Sequence, residues 1–200
     1  MYMQKLTLVG IILAAAIIFF ILSCREKPVA IATPAVSWEK PRVPDWHKNA
    51  TIYEVNLRHY TKENTFKSFE SEIPRLKQMG IDILWFMPIN PVSVKNRKGE
   101  LGSPYSIGDY YKTNPDYGSL DDFKHMVKAI HDAGMYIIID WVPNHTGADH
   151  HWLTAHPDFY KKDPKTGKAA YVYDWTDTRK LDYDNPALQD SMIACMKFWI

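Results

Sequence analysis

The densest group of chemically capable side chains lies at Asp140-Trp141-Val142-Pro143-Asn144-His145, where a carboxylate, a carboxamide and an imidazole fall in one short run. A neutral imidazole offers one donor and one acceptor, and a carboxylate holds neighbouring donors in place. An amide oxygen is a reasonable calcium ligand, but a calcium site takes six to eight oxygens, and Asn144 supplies one. His150, His151 and His156 follow His145 and together raise a zinc reading, yet their spacing matches no compact ligand pattern. The two cysteines, Cys24 and Cys195, make no disulfide framework. Cys195 falls on the apolar stripe of a predicted helix, where a buried thiol behaves as a small hydrophobe.

These groups need elements to hold them. Alternating β-branched and aromatic residues predict a strand over 51–57, and near-continuous apolar runs predict two more, over 81–88 and 136–142. Runs of that kind belong to parallel strands buried on both faces, with Asp140 inside the third. Phe66, Phe69, Ile73 and Leu76 mark a helix that ends at Gly80; Leu120, Phe123, Val127 and Ile130 mark another that ends at Gly134. Each position in the second set is offset by 54 residues from the first, a repeated helix–Gly–strand unit. Pro74 should kink the first helix or restart it. A third helix starts at Asn185 as N-cap with Pro186 next, and turns Leu188, Met192, Cys195 and Trp199 inward. Alternating β and α gives an α/β fold, with three β/α units of an eight-stranded TIM (β/α)8 barrel over 49–200, an incomplete one.

In such barrels function sits at the C-terminal ends of the strands and in the loops after them. The loop after the second strand runs from Pro88-Ile89-Asn90-Pro91 to Gly108-Asp109-Tyr110-Tyr111. About forty residues separate His145 from the third helix, with a subdomain-like stretch at 147–184. Asp140-Trp141-Val142-Pro143-Asn144-His145 resembles the D-x-V-x-N-H signature of the α-amylase family, glycoside hydrolase family 13. Pro104-Tyr105-Ser106-Ile107-Gly108-Asp109-Tyr110, followed by Asn114-Pro115-Asp116-Tyr117-Gly118, resembles the family's loop before the second barrel helix. Trp46 to Val55 resembles its entry to the first strand. The Lys at 180, in Arg179-Lys180-Leu181-Asp182, is similar to the neopullulanase and cyclomaltodextrinase branch.

The resemblance implies that Tyr105 stacks on the sugar beside the cleaved bond and that His145 hydrogen-bonds its hydroxyls, while Asp140 orients neighbouring groups. Asn144 matches a calcium-ligating position, but Lys180 stands where the family often carries a second ligand, an Asp, and its ammonium argues against the cation. Among the aromatic residues of the long loop (Trp152, Phe159, Tyr160, Tyr171, Tyr173 and Trp175) some would touch glucan, and the sequence does not say which. The family's nucleophile, acid/base and further Asp follow the fourth, fifth and seventh strands, beyond residue 200. The implied activity is retaining hydrolysis of α-1,4-linked glucans by the full-length protein, this piece alone being inactive. The rival is a non-catalytic, lipid-anchored glycan-binding protein with an amylase-like barrel; a G-x-R-x-D pattern on the fourth strand would support the enzyme, and its absence the binder.

The N-terminus reads separately. Lys5 precedes an apolar run from Leu6 to Leu22 that ends in Ser23-Cys24, the shape of a secretory signal. Ile21-Leu22-Ser23-Cys24 resembles a bacterial lipobox, which implies acylation of Cys24 after removal of residues 1–23. A plain transmembrane anchor is the alternative, at the short edge of spanning length. Residues 24–48, punctuated by Pro, form a tether. Either reading places the rest of the chain outside the cytoplasm and beside a membrane, facing the periplasm or the cell exterior. A net charge of +1 argues against nucleic acid as partner.

Overall fold

The computed structural model describes residues 43–200; the expected signal segment, Cys24 and most of the tether expected over 24–48 lie outside the described residues, and a 3-10 helix, Asp45–Asn49, takes in the end of that stretch. Strands β1 (Ile52–Val55), β2 (Ile83–Phe86) and β3 (Tyr136–Ile139) form one parallel sheet in that order. Val55 lies opposite Phe86, and Phe86 opposite Ile139. Parallel neighbours need crossovers. Helices α1 (Phe66–Glu70) and α2 (Ile73–Gln78) cross from β1 to β2, and α3 (Leu120–Asp132) crosses from β2 to β3.

Each strand is shorter than its apolar run. The ladder goes only one bond past β1 and β2, from the Met87 amide to the Val55 carbonyl and from the Asp140 amide to that of Phe86. Asp140 therefore stands one residue beyond β3, not inside it. Pro88 and Pro143, which lack the N–H a ladder needs, follow both junctions closely. The helix expected over 66–76 is two helices, and Pro74 sits in the first turn of α2, where a missing N–H costs nothing. Phe66, Phe69, Ile73 and Leu76 are all buried regardless. Thr65 and Ser119 close the starts of α1 and α3 with reciprocal capping boxes.

The 54-residue repeat is one helix stop built twice. Gly80 and Gly134 both take left-handed φ, +84° and +68°. Their amides bond the carbonyls of Lys77 and His131, both at 2.9 Å. The next amides, of Ile81 and Met135, reach back to Leu76 and Ile130 at 3.2 and 3.1 Å.

In this chain helices cover only one face of the sheet. Val55, Leu84 and Phe86 are sealed under the three helices, but Ile52, Trp85, Tyr136 and Ile138 on the other face are exposed. With a side-chain period of two, helices on one side cover only alternate residues.

A second core forms beyond β3. Strand β4 (His145–Gly147) pairs antiparallel with β5 (Thr178–Lys180), and the short α4 (Trp152–Ala155) lies between them in sequence. Val142, Trp152, Phe159, Tyr160 and Leu181 pack there with Ile107 and Tyr110. Helix α5 (Pro186–Phe198) adds Leu188, Met192 and Cys195. Asn185 caps α5, accepting from the Ala187 amide at 3.0 Å. Trp199 donates to the Tyr110 carbonyl at 2.8 Å. Among the described residues no helix is long and apolar enough to cross a membrane.

Candidate functional site

The loop after β2 is held in place before it offers any chemistry. Asn90 is almost fully buried, and its amide nitrogen lies 3.1–3.3 Å from the carbonyls of Asp109, Tyr110 and Lys112. The Gly108 amide bonds the Pro91 carbonyl, and the Gly147 amide bonds the Ile107 carbonyl, both at 2.7 Å. The Asp149 carboxylate accepts from the amides of Val94 and Lys95 at 2.8 and 2.9 Å. Partial burial would raise its pKa, but Ser93 and those amides together hold it below the usual carboxylate range. The loop is thereby stitched to β4 and to the turn after it.

These segments enclose a cavity of about 480 Å³ lined by Lys98, Ser103, Tyr105, His145, Trp175, Asp177 and Thr178. A larger depression of about 670 Å³, walled by Tyr53, Glu72 and Arg75 among others, holds none of the expected site residues.

Two of those residues, Tyr105 and His145, meet in the smaller cavity. The Tyr105 hydroxyl donates to Asp140 Oδ2 at 2.9 Å, so the carboxylate just past β3 fixes the ring on the neighbouring loop. Burial first, and then the bond and charge of Asp140, push the Tyr105 hydroxyl up to about 12, which keeps it protonated. His145 is 7% exposed. Its Nδ1 lies 3.0 Å from the Asn144 amide nitrogen and its Nε2 lies 3.2 Å from the Tyr105 carbonyl. An amide nitrogen only donates and a carbonyl only accepts, so these partners assign the proton to Nε2. Burial is the main cause that lowers the His145 pKa, and the Lys180 ammonium adds to it against the Tyr105 carbonyl and Asp177. The ring is therefore a neutral donor at pH 7.

The residues present do not fit a calcium ion. The Asn144 side-chain nitrogen is turned to His145, and its main-chain carbonyl accepts from the Leu181 amide at 3.2 Å. Lys180 lies directly opposite His145 in the β4–β5 register, which brings a cation to that end of the site. The four His do not converge either. His150 stacks on His151 and His156 on Phe159, while His145 lies against Trp175. Among the described residues no three His, Cys, Asp or Glu groups come together to hold a metal.

Sequence reasoning placed Asn90 at the end of the second strand without giving it a role and missed Asp149 and Gly147; all three brace the segments that line the cavity. The only signal was an Asn closing an apolar strand between Ile and Pro; Asp149 and Gly147 act on backbone far away in the chain.

Residues 63–178 match the family described as "Alpha amylase, catalytic domain". The fold is similar to the crystal structure of an α-amylase from Lactobacillus plantarum, with TM-score 0.74 and 40% identity over 76% of this chain and 36% of that one. It is also similar to a noncanonic maltogenic α-amylase from Thermotoga neapolitana, with TM-score 0.72, 40% identity and the same coverage. Alpha-amylase 3 of Dictyoglomus thermophilum is 29% identical over 180 residues, 78% of this chain and 35% of that protein. The chain thus spans about a third of the length of these relatives. Its parallel β/α units agree with part of the TIM barrel that this catalytic domain implies. With the match running from the lead-in of α1 to the first residue of β5, and Asp140 to His145 at the C-terminal end of the sheet, the chain belongs to the α-amylase family through its catalytic domain.

Proposed function

We propose that the full-length protein is a retaining glycoside hydrolase that cleaves α-1,4-linked glucans such as starch or malto-oligosaccharides. The observation that carries this reading is the convergence of Tyr105, locked by Asp140, and a neutral, donating His145 on one cavity. The flat face of Tyr105 suits the C–H face of a pyranose. In the complex the Nε2–H of His145 leaves its long 3.2 Å bond to the Tyr105 carbonyl for a sugar hydroxyl, and that new bond strengthens as the ring flattens toward the oxocarbenium-like transition state. The nucleophile and the acid/base are expected beyond residue 200, so this chain supplies one wall of the site and no turnover by itself. Acylation at Cys24 would hold the enzyme on the outer side of a membrane, within reach of extracellular or periplasmic glucan.

The test is His145→Ala in the full-length protein. Loss of a hydrogen bond that tightens in the transition state should lower kcat/KM by about 2 kcal/mol, roughly thirtyfold. Residues 25–200 alone should show no turnover. Wild-type kinetics in the variant, or no α-glucan cleavage by the full-length protein, would overturn the reading.

A further inference from the structure

We propose that Trp175, with Tyr173 beyond it, is the platform for a second sugar unit adjoining the one held by Tyr105 and His145, a proposal that rests on the α-glucan reading above. The structure sorts the aromatic residues of the 147–184 stretch. Trp152, Phe159 and Tyr160 are buried in the second core. Trp175 lines the cavity and is 40% exposed; Tyr173 is 81% exposed. The Trp175 ring lies 5.7 Å from the His145 ring and tilts 56° from it, and the Tyr173 ring stands edge-on to Trp175 at 5.3 Å. Three rings thus lead from the cavity to open solvent.

An exposed aromatic ring alone says little, since most folded surfaces carry apolar atoms. Here the ring is held out by a backbone that is fastened on every side. The Trp175 amide bonds the Val172 carbonyl at 3.0 Å. Its own carbonyl accepts from the Thr178 amide at 3.0 Å and the Thr178 hydroxyl at 2.9 Å. From the facing loop, Lys98 donates to the Asp174 carbonyl at 2.6 Å, Asn96 to the Thr176 carbonyl at 3.0 Å and Ser106 to the Asp177 carbonyl at 2.7 Å. Tyr173 also carries a left-handed φ of +50°, which a bulky side chain rarely adopts.

A rigid, half-exposed indole beside an occupied subsite is a pre-organised wall, and a ligand that meets it loses little freedom to order it. Its flat apolar face matches the C–H face of a pyranose, and Lys98 and Asp177, which line the same cavity, offer a donor and an acceptor for the hydroxyl edge. Linked sugars present such faces in succession, so the unit next to the one on Tyr105 and His145 rests on Trp175, and Tyr173 guides the chain outward.

The experiment uses the full-length protein with Trp175→Ala, Trp175→Leu and Trp175→Phe. Binding is read by affinity electrophoresis in gels containing amylopectin, and turnover on a series from maltose to maltoheptaose. Trp175→Ala and Trp175→Leu should weaken amylopectin binding about tenfold and lower kcat/KM across the series from maltose to maltoheptaose by a similar factor. Trp175→Phe, which keeps a flat ring, should recover most of both. Binding by Trp175→Leu equal to wild type, or no recovery of binding in Trp175→Phe, would overturn the platform. Amylopectin binding without cleavage by the wild type, lost in Trp175→Leu, would overturn the hydrolase reading and leave the platform standing. No binding by the wild type would overturn both.

Discussion

His150 is a base kept from its proton. Burial first, and the neighbouring His151 second, drop its pKa to about 3. Its Nδ1 accepts the Trp152 amide at 3.2 Å, and its buried Nε2 has no partner among the described residues. An unfolded chain protonates this imidazole near pH 6.5, while the folded protein does so only near pH 3. Stability is therefore undiminished above about pH 6.5, falls as pH drops through that window, and levels off near 3. At about 1.4 kcal/mol for each pH unit of separation, the loss amounts to several kcal/mol. His150→Gln, which does not titrate, should flatten the fall of Tm between pH 6.5 and 3; an unchanged slope would assign the acid sensitivity to other groups. At this scale Tyr105, Asp140 and His145 were legible because they sit in short motifs at strand ends. His150 was legible only as one of four His, because its burial comes from Tyr110 and Trp152, contacts that no local pattern encodes.

At the scale of elements, periodicity and punctuation carried most of the fold. Apolar spacing located α1 to α3 and α5, and Gly80, Gly134, Asn185 and Pro186 marked their ends for reasons of backbone geometry. Strand lengths were less legible, since an apolar run continues past the point where the chain leaves the ladder. Least legible was the approach of β4 to the loop after β2. A Cβ on Gly147 would stand 2.9 Å from the Ile107 carbonyl oxygen and collide with the Ser93 side chain at its root. Gly147→Ala should therefore push the loop and β4 apart, at a cost of about 1–3 kcal/mol in stability. Because that seam shapes the cavity holding Tyr105 and His145, glucan turnover should fall as well. An unchanged Tm would show that the loop yields freely.

Among the described residues, helices cover one face of the sheet and leave the other bare. Ile52, Trp85, Tyr136 and Ile138 form an apolar surface opposite the helices, and β1 and β3 are the sheet's edges among the described residues. In a closed (β/α) barrel the face away from the helices points inward and is filled by side-chain layers. The sequence could not tell the two faces apart because both are apolar. Location belongs to this scale too, and it rests on Cys24, outside the described residues. Fatty-acid labelling of the wild type should place lipid on the mature protein, and Cys24→Ser should abolish it and leave the precursor unprocessed. An unlabelled wild type with unchanged processing would replace the lipoprotein reading with an uncleaved anchor.

The stitches that bound the cavity also set an order of assembly. Asp149 reaches the Val94 amide across 55 positions, Ser106 reaches the Asp177 carbonyl across 71, and Lys98 reaches Asp174 across 76. Contacts so far apart in the chain carry a loop-closure entropy that must be met before they give anything back. The three-stranded sheet brings their anchor points near one another, so each of these contacts closes a shorter effective loop once the sheet is formed. On this argument the cavity should close after the sheet, and pulsed hydrogen exchange during refolding should protect the amides of β2 and β3 before those of Val94 and Lys95.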